Sequence, residues 1–231
     1  MTKQPDKRLA EKRIAAERAV AEIADGMIVG LGSGSTALLA LDAIAARMAN
    51  GLRIAGIPTS EVTAARAKAL GIPLTDFSRH QRIDLTIDGA DQVARGTLDL
   101  VKGLGGALLR EKIVASTSER MIVVVDETKL VDRLGNATPL PVEIVPFGRE
   151  TTLARLDAIG VAPNLRMAGT KPFVSDGGNY IADCVVADSD DPRSLEDRLN
   201  TVLGVIATGL FIGLATMVIV GRSSGAGIIE R

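Results

Sequence analysis

Carboxylates and lysines recur beside glycine-rich loops in this chain. A carboxylate pair, Asp88 and Asp91, sits in "DGAD"; a further acid, Glu111, sits in "REK"; the cations are Lys102 and Lys129. Lys102 and Glu111 bracket the loop "KGLGGALLREK", and upstream lies "VGLGSGST", residues 29–36. Glycines let a backbone approach an anion closely, and a helix starting after such a loop favours negative charge at its N-terminus. Ser33, Ser35 and Thr36 add hydroxyl donors, so a phosphate monoester suits this stretch. It is not the dinucleotide fingerprint, because counting from Gly30 puts Ser35 where the third glycine belongs, and it lacks the lysine of a Walker loop. A tight strand-to-helix turn with Ser35 or Thr36 as N-cap would show the same residues.

Asp88 and Asp91 stand three residues apart around a turn, so both can face one cleft. An Asp-Gly turn with a helix cap gives the same spacing. As metal ligands they form an incomplete cage, and the one histidine, His80, precedes the nearest strand by several residues. Glu111 by itself fits a solvated charged helical face. The apolar flanks "GGALL" and "IVAS" instead favour partial desolvation, which helps a base. Lys102 and Lys129 could equally be surface residues. Tyr180 and Cys184 are assigned structural places.

The elements that must position these groups alternate. The hydrophobic pattern predicts a helix over about 6–24, with Leu9, Ile14, Val20 and Ile23 as its apolar positions. Strands follow at "MIVGL", "LRIAGIP", "IDLTID" and "RMIVVVDET", separated by helices over 36–48, 60–70 and 108–116, with Ser60 as an N-cap. Alternation of this kind predicts an α/β protein with a parallel sheet covered on both faces. In such sheets ligands sit beyond the carboxyl ends of the strands. "GSGST", "DGAD" and "DETK" all follow strands, so one sheet edge would gather hydroxyls, carboxylates and lysines. Pro139, Pro141 and Pro146 then mark a change in composition. Beyond it, helices at about 150–159 and 193–200 and a hairpin around residues 176–179 predict a small α+β unit over about 136–205. "LFIGLATMVIVG" returns as strand to the main sheet, so the larger domain comprises residues 1–135 plus about 206–231.

Composition excludes several classes. The 231 residues carry a formal net charge of -1 and five aromatic side chains, which argues against nucleic acid and anionic membranes as partners. One cysteine leaves no intrachain disulfide and no cysteine-based zinc cluster. The charged N-terminus has no apolar signal core, and the longest apolar run is too short to span a bilayer. A cytoplasmic protein is expected.

"GLGSGSTA", "DLTIDGADQV", "KGLGGALLREKIVAS", "VVVDETKLVDRLG" and "PLPVEIVPFG" together resemble type A ribose-5-phosphate isomerases, in order and over most of the chain. "TSEVTAARAKALGIPL" and "SDGGNYIAD" fit as well. The resemblance implies a Rossmann-like open-sheet main domain beside a small α+β, ferredoxin-like domain, and a homodimer or homotetramer. It implies interconversion of ribose 5-phosphate and ribulose 5-phosphate in the pentose phosphate pathway, with no cofactor and no metal. Ser33, Gly34, Ser35 and Thr36 would line the sugar-phosphate site. Asp88, Gly89, Ala90, Asp91, Lys102, Gly103, Leu104 and Gly105 would surround the substrate, with Lys129 contributing and Glu111 as general base. Leu104 stands where the family commonly has glycine.

Such chemistry has requirements these residues can meet. Proton transfer between C1 and C2 of an open-chain aldose needs one base reaching both carbons and a cation or donors for the enediolate oxygen. It also needs a group to serve the ring oxygen during opening, and a phosphate anchor whose binding energy positions the reacting end. Two other classes share the fold: a sugar-phosphate-binding sensor and a coenzyme A transferase with a glutamate nucleophile.

Overall fold

A computed structural model describes residues 4–135, 138–186 and 191–231. The protein is α/β, with mixed sheets. It divides into two compact units, one made of Met1–Ala90, Glu111–Leu130 and Leu214–Arg231, the other of Asp91–Arg110 and Val131–Gly213. Residue 136, where the sequence reading begins the smaller domain, lies outside the described residues. The segment 91–110 groups with the second unit, because its strands Gln92–Ala94 and Leu100–Val101 pair with each other and with Leu210–Phe211. Strands of two or three residues leave no readable periodicity, so no pattern marks them.

The first unit is built on a six-stranded sheet in the order Gly225–Glu230, Met217–Arg222, Ser118–Asp126, Ile83–Asp88, Ile28–Leu31, Ala55–Pro58. The last five run parallel, and Gly225–Glu230 folds back antiparallel along the edge. The inner strands are near-continuous apolar runs because little of them meets water; Ile83, Leu85, Ile87 and Ile122 through Val125 are all buried. The expected return to this sheet is made by Met217–Arg222 alone. Thr216 secures its start, accepting from the Met121 amide (3.1 Å) and donating to the Met121 carbonyl (3.0 Å).

The first helix, Gln4–Val20, ends a turn earlier than the pattern predicts. The Arg47 guanidinium donates to the carbonyls of Val20 (2.5 Å) and Ile23 (2.9 Å), satisfying the chain end without further helix. Its buried face is Ala15, Ala16, Ala19 and Val20, whereas Leu9 is half exposed. The cause is close approach: a Cβ on Gly221 would lie 1.8 Å from the Glu11 carbonyl oxygen. Only small residues fit at that distance. The helices Ser35–Ala49 and Glu61–Ala69 follow the predicted spans to within one or two residues, and Ser60 caps the second by accepting from the Thr63 amide (3.1 Å).

The second unit holds a four-stranded antiparallel sheet in the order Val205–Thr208, Leu140–Ile144, Tyr180–Val185, Ala162–Leu165. Leu140, Val142 and Ile144 alternate onto one face and pack with Leu156, Leu195 and Leu199 of the helices Arg149–Ala158 and Pro192–Asn200. The expected hairpin at 176–179 is a tight turn instead, closed by Ser175 N–H to the Asn179 carbonyl (2.9 Å) and Gly178 N–H to the Ser175 carbonyl (2.9 Å). The strand after the turn pairs with Ala162–Leu165 rather than with residues just before it. Buried Glu143 draws the turn aside, accepting from Ser175 Oγ (2.7 Å) and Asn179 Nδ2 (3.0 Å).

Cys184 is fully buried on Tyr180–Val185, one of the two inner strands of this sheet. Burial, with the adjacent Asp183 carboxylate adding to it, pushes the thiol up to about 12. The thiolate is the reactive form. Native protein is therefore expected to resist iodoacetamide at mildly alkaline pH and to take up one equivalent once unfolded, as read by intact mass. Rapid labelling of the folded protein would contradict this.

Candidate active site

In the first unit, three strand ends lie side by side. Leu31 pairs with Ile87, and Ile87 with Ile122, so the residues that follow each strand emerge at one edge of the sheet. Gly32 extends the ladder by donating to the Ile87 carbonyl (3.0 Å). Asp88 has no exposed surface, and its Oδ1 accepts from the amides of Ser33 (3.0 Å) and Gly89 (2.7 Å). A buried carboxylate is tolerated where charge-assisted N–H donors replace water. Asp88 thus ties the "GSGST" loop to the end of the central strand.

The hydroxyls divide into two groups. Ser33 Oγ turns inward to Thr59 Oγ1 (2.7 Å), Ser60 Oγ (2.8 Å) and Thr63 Oγ1 (3.2 Å), and Thr63 Oγ1 donates to the Gly32 carbonyl (2.9 Å). Ser33 is therefore a brace of the loop. Gly34 is the N-cap of Ser35–Ala49, with no side-chain cap hydrogen bond, so the alternative in which Ser35 or Thr36 serves as N-cap does not hold. At φ 87° and ψ 175°, Gly34 occupies backbone space essentially reserved for glycine. The first amides of the helix are left without intrahelical partners. Beside them Lys12, from the first helix, donates to Ser35 Oγ (3.0 Å). Nothing in the local sequence singles out Lys12, since only the tertiary packing of two helices brings it there.

Glu111 lies in the first turn of Leu108–Ser116 and is 5% exposed, so it is not part of a solvated charged face. The positive end of the helix dipole favours a carboxylate at that position. Asp126 ends its strand buried and caps the single turn Glu127–Lys129 by accepting from the Thr128 amide (3.1 Å), which leaves Lys129 half-buried.

In the second unit, Asp91 Oδ2 accepts from the Leu104 amide (2.9 Å), and the Asp91 amide donates to the Val101 carbonyl (2.8 Å). The two carboxylates of "DGAD" therefore hold two different loops, Asp88 the one at 32–36 and Asp91 the one at 102–106. Lys102 is 2% exposed, which excludes a surface role. Its amide donates to the Gly209 carbonyl (2.9 Å) and its Nζ lies 5.5 Å from the centre of the Phe211 ring. Phe211 has no motif of its own in the sequence. In the loop, Gly103 and Gly106 take positive φ (103° and 84°), whereas Leu104 does not and leaves its side chain exposed. A leucine is accommodated there because the conformational demand falls on its neighbours.

A Cβ on Gly32 would lie 2.3 Å from Asp88 Oδ1 and 2.6 Å from Asp88 Cα. The obstacle is backbone and cannot rotate away. Gly32→Ala is expected to destabilise the protein by about 1–3 kcal/mol and to lower activity further than that loss explains, because the loop must move off Asp88. Thermal unfolding and steady-state kinetics on one preparation check this. A variant with wild-type stability and rate would show that the Asp88 contact does not set the loop.

The family model for ribose 5-phosphate isomerase A (phosphoriboisomerase A) matches residues 55–225. The chain is 51% identical to ribose-5-phosphate isomerase A of Gloeobacter violaceus over 94% of this chain and 95% of that one. It is 49% identical to the Gluconobacter oxydans protein of the same name, over 93% and 94%. Among solved structures, ribose 5-phosphate isomerase A of Methanocaldococcus jannaschii superposes with a TM-score of 0.91 at 35% identity, covering 96% of this chain and 98% of that chain. A D-ribose-5-phosphate isomerase in complex with phospho-erythronic acid superposes with a TM-score of 0.93 at 36% identity, covering 97% and 99%. The protein belongs to the ribose 5-phosphate isomerase A family.

Proposed function

We propose that this protein interconverts D-ribose 5-phosphate and D-ribulose 5-phosphate through an enediolate, as a step of the non-oxidative pentose phosphate pathway. The observation that carries the reading is the buried Asp88 carboxylate on the amides of Ser33 and Gly89, which holds the start of a helix open beside a lysine. The amides and hydroxyls of Gly34, Ser35 and Thr36, with Lys12, anchor the phosphate. Glu111 takes the proton from C2 and returns it to C1. Lys102 stabilises the negative oxygen of the enediolate, and its burial strengthens that charge interaction. One of the pair Asp88 and Asp91 serves the ring oxygen during opening. Gly89, Ala90, Gly103, Leu104 and Gly105 flank the sugar, and Lys129 contributes to the substrate site.

The same reading takes residues 1–135 plus about 206–231, which include the parallel sheet, as the Rossmann-like main domain and residues of about 136–205 as the ferredoxin-like one. It places the protein in the cytoplasm as a homodimer or homotetramer that uses no metal. A single buried cysteine suits a reducing compartment, and among the described residues no helix is long and apolar enough to cross a membrane.

Two variants separate the anchor from the base. Ser35→Glu puts a like charge where the phosphate sits and is expected to raise KM for ribose 5-phosphate steeply; an unchanged KM would remove the loop from the site. Glu111→Gln keeps shape and helix propensity and deletes the proton acceptor, so kcat is expected to fall roughly 10²–10⁴-fold while substrate still binds. Near wild-type turnover by Glu111→Gln, with Asp88→Asn or Asp91→Asn inactive, would move the base into "DGAD".

A further inference from the structure

Arg166 is an arginine the reaction scheme does not use, yet all three of its guanidinium nitrogens donate hydrogen bonds. Nε and Nη2 donate to the two oxygens of Asp183 (2.8 and 2.5 Å), and Nη1 donates to the carbonyls of Gly103 (3.2 Å) and Leu104 (2.9 Å). The Phe173 ring lies under it, 5.7 Å from its centre. Its side chain is 14% exposed. The backbone is fixed as well, with Arg166 N–H on the Ile181 carbonyl (2.8 Å) and its carbonyl accepting from Phe173 (2.9 Å). Every one of these groups lies in the second unit.

The consequence follows from peptide geometry. In a trans peptide the N–H points opposite to the C=O, and the described chain has no cis peptide. Gly103 C=O turned to Arg166 sends the Leu104 N–H the other way, and it meets Asp91 Oδ2 at 2.9 Å. Leu104 C=O turned to Arg166 likewise sends the Gly105 N–H away from the guanidinium. Gly103 and Gly105 flank those two planes, and glycines there give the loop the freedom to flip them and show carbonyl oxygens instead. A planar fork binding two carbonyls and a carboxylate together is what prevents it; a lysine cannot reproduce that fork.

We propose that Arg166 is a positioning residue for the isomerisation: it locks the peptides 103–104 and 104–105, keeping the Leu104 amide on Asp91 and the Gly105 amide turned to the substrate, so that the loop after Lys102 offers a hydrogen-bond donor to developing negative charge instead of a carbonyl oxygen opposing it. The inference rests on the assignment of the 102–105 loop to the substrate site. Arg166 touches no reacting atom and acts through the loop, and Asp183 acts through Arg166.

The test uses Arg166→Met, Asp183→Asn, their combination, Arg166→Lys and, as reference, Lys102→Met, each in the full-length protein with thermal midpoint, kcat and KM measured. Arg166→Met strands the Asp183 carboxylate and is expected to lower the midpoint. The double variant removes that charge and is expected to recover it, while kcat stays down about 10–100-fold, the scale on which small misplacements act, with KM much less affected. Arg166→Lys keeps a partner for Asp183 and is expected to lose about tenfold in kcat at a near wild-type midpoint. Wild-type kcat in either folded variant overturns the proposal and reduces Arg166 to a partner of Asp183. Lys102→Met separates the two levels: if it is inactive while the double variant is active, the positioning role fails alone. If Lys102→Met is itself near wild type, the loop assignment fails and the positioning role fails with it.

Discussion

The carboxylate of Asp88 accepts two backbone amides, from Ser33 and Gly89, without exposing any surface to water. Much of the first unit is arranged around that one buried charge. The Ile83–Asp88 strand lies inside the sheet, paired on both sides, so the carboxylate leaves the strand end at a fixed point. Gly32 must lack a side chain to let the next loop reach it. The Thr59, Ser60 and Thr63 hydroxyls hold that loop from the other side through Ser33 and the Gly32 carbonyl. The result is a helix start whose amides are presented rather than capped. Preorganisation of this kind is paid before substrate arrives, so binding energy is not used to order the loop.

The second unit solves a similar problem with a different device. Its loop at 102–106 is gripped through Leu104 by Asp91, one residue past the first unit's last residue of "DGAD", and through two carbonyls by Arg166. In both units a side-chain charge fixes backbone groups, and fixed backbone dipoles do the work a flexible side chain would do less reproducibly. The burial of Lys102 and Glu111 fits this economy, since charges held away from water act more strongly on a substrate.

The main sheet was legible because its strands are apolar runs bounded by glycine and separated by helices of ordinary length; the span of Leu108–Ser116 and that of Ile83–Asp88 follow from pattern alone. Chemistry-bearing residues were legible as types beside glycine loops. The desolvation of Glu111 was hinted at by its apolar flanks, but the burial of Lys102 was not legible. A lysine before glycine looks solvated until the fold covers it. The strands Gln92–Ala94, Leu100–Val101 and Leu210–Phe211 are too short to carry a period, so their pairing with one another left no mark in the sequence. Lys12, Phe211 and Arg166 owe their places to partners dozens of residues away, and no local signal marks them. The alanine face of the first helix likewise depends on Gly221, more than two hundred residues further on.

The central claim is that a protein carboxylate carries the proton between C2 and C1. Conversion of ribose 5-phosphate in deuterium oxide, with the ketose examined by proton NMR or mass spectrometry, tests it most directly. A base that exchanges with solvent during the lifetime of the enediolate places deuterium at C1 of ribulose 5-phosphate, and the account predicts that label in the wild-type product. Ketose formed at full rate with no deuterium at C1, its hydrogen carried over from C2 of the aldose, would point to an internal hydride shift and contradict the account.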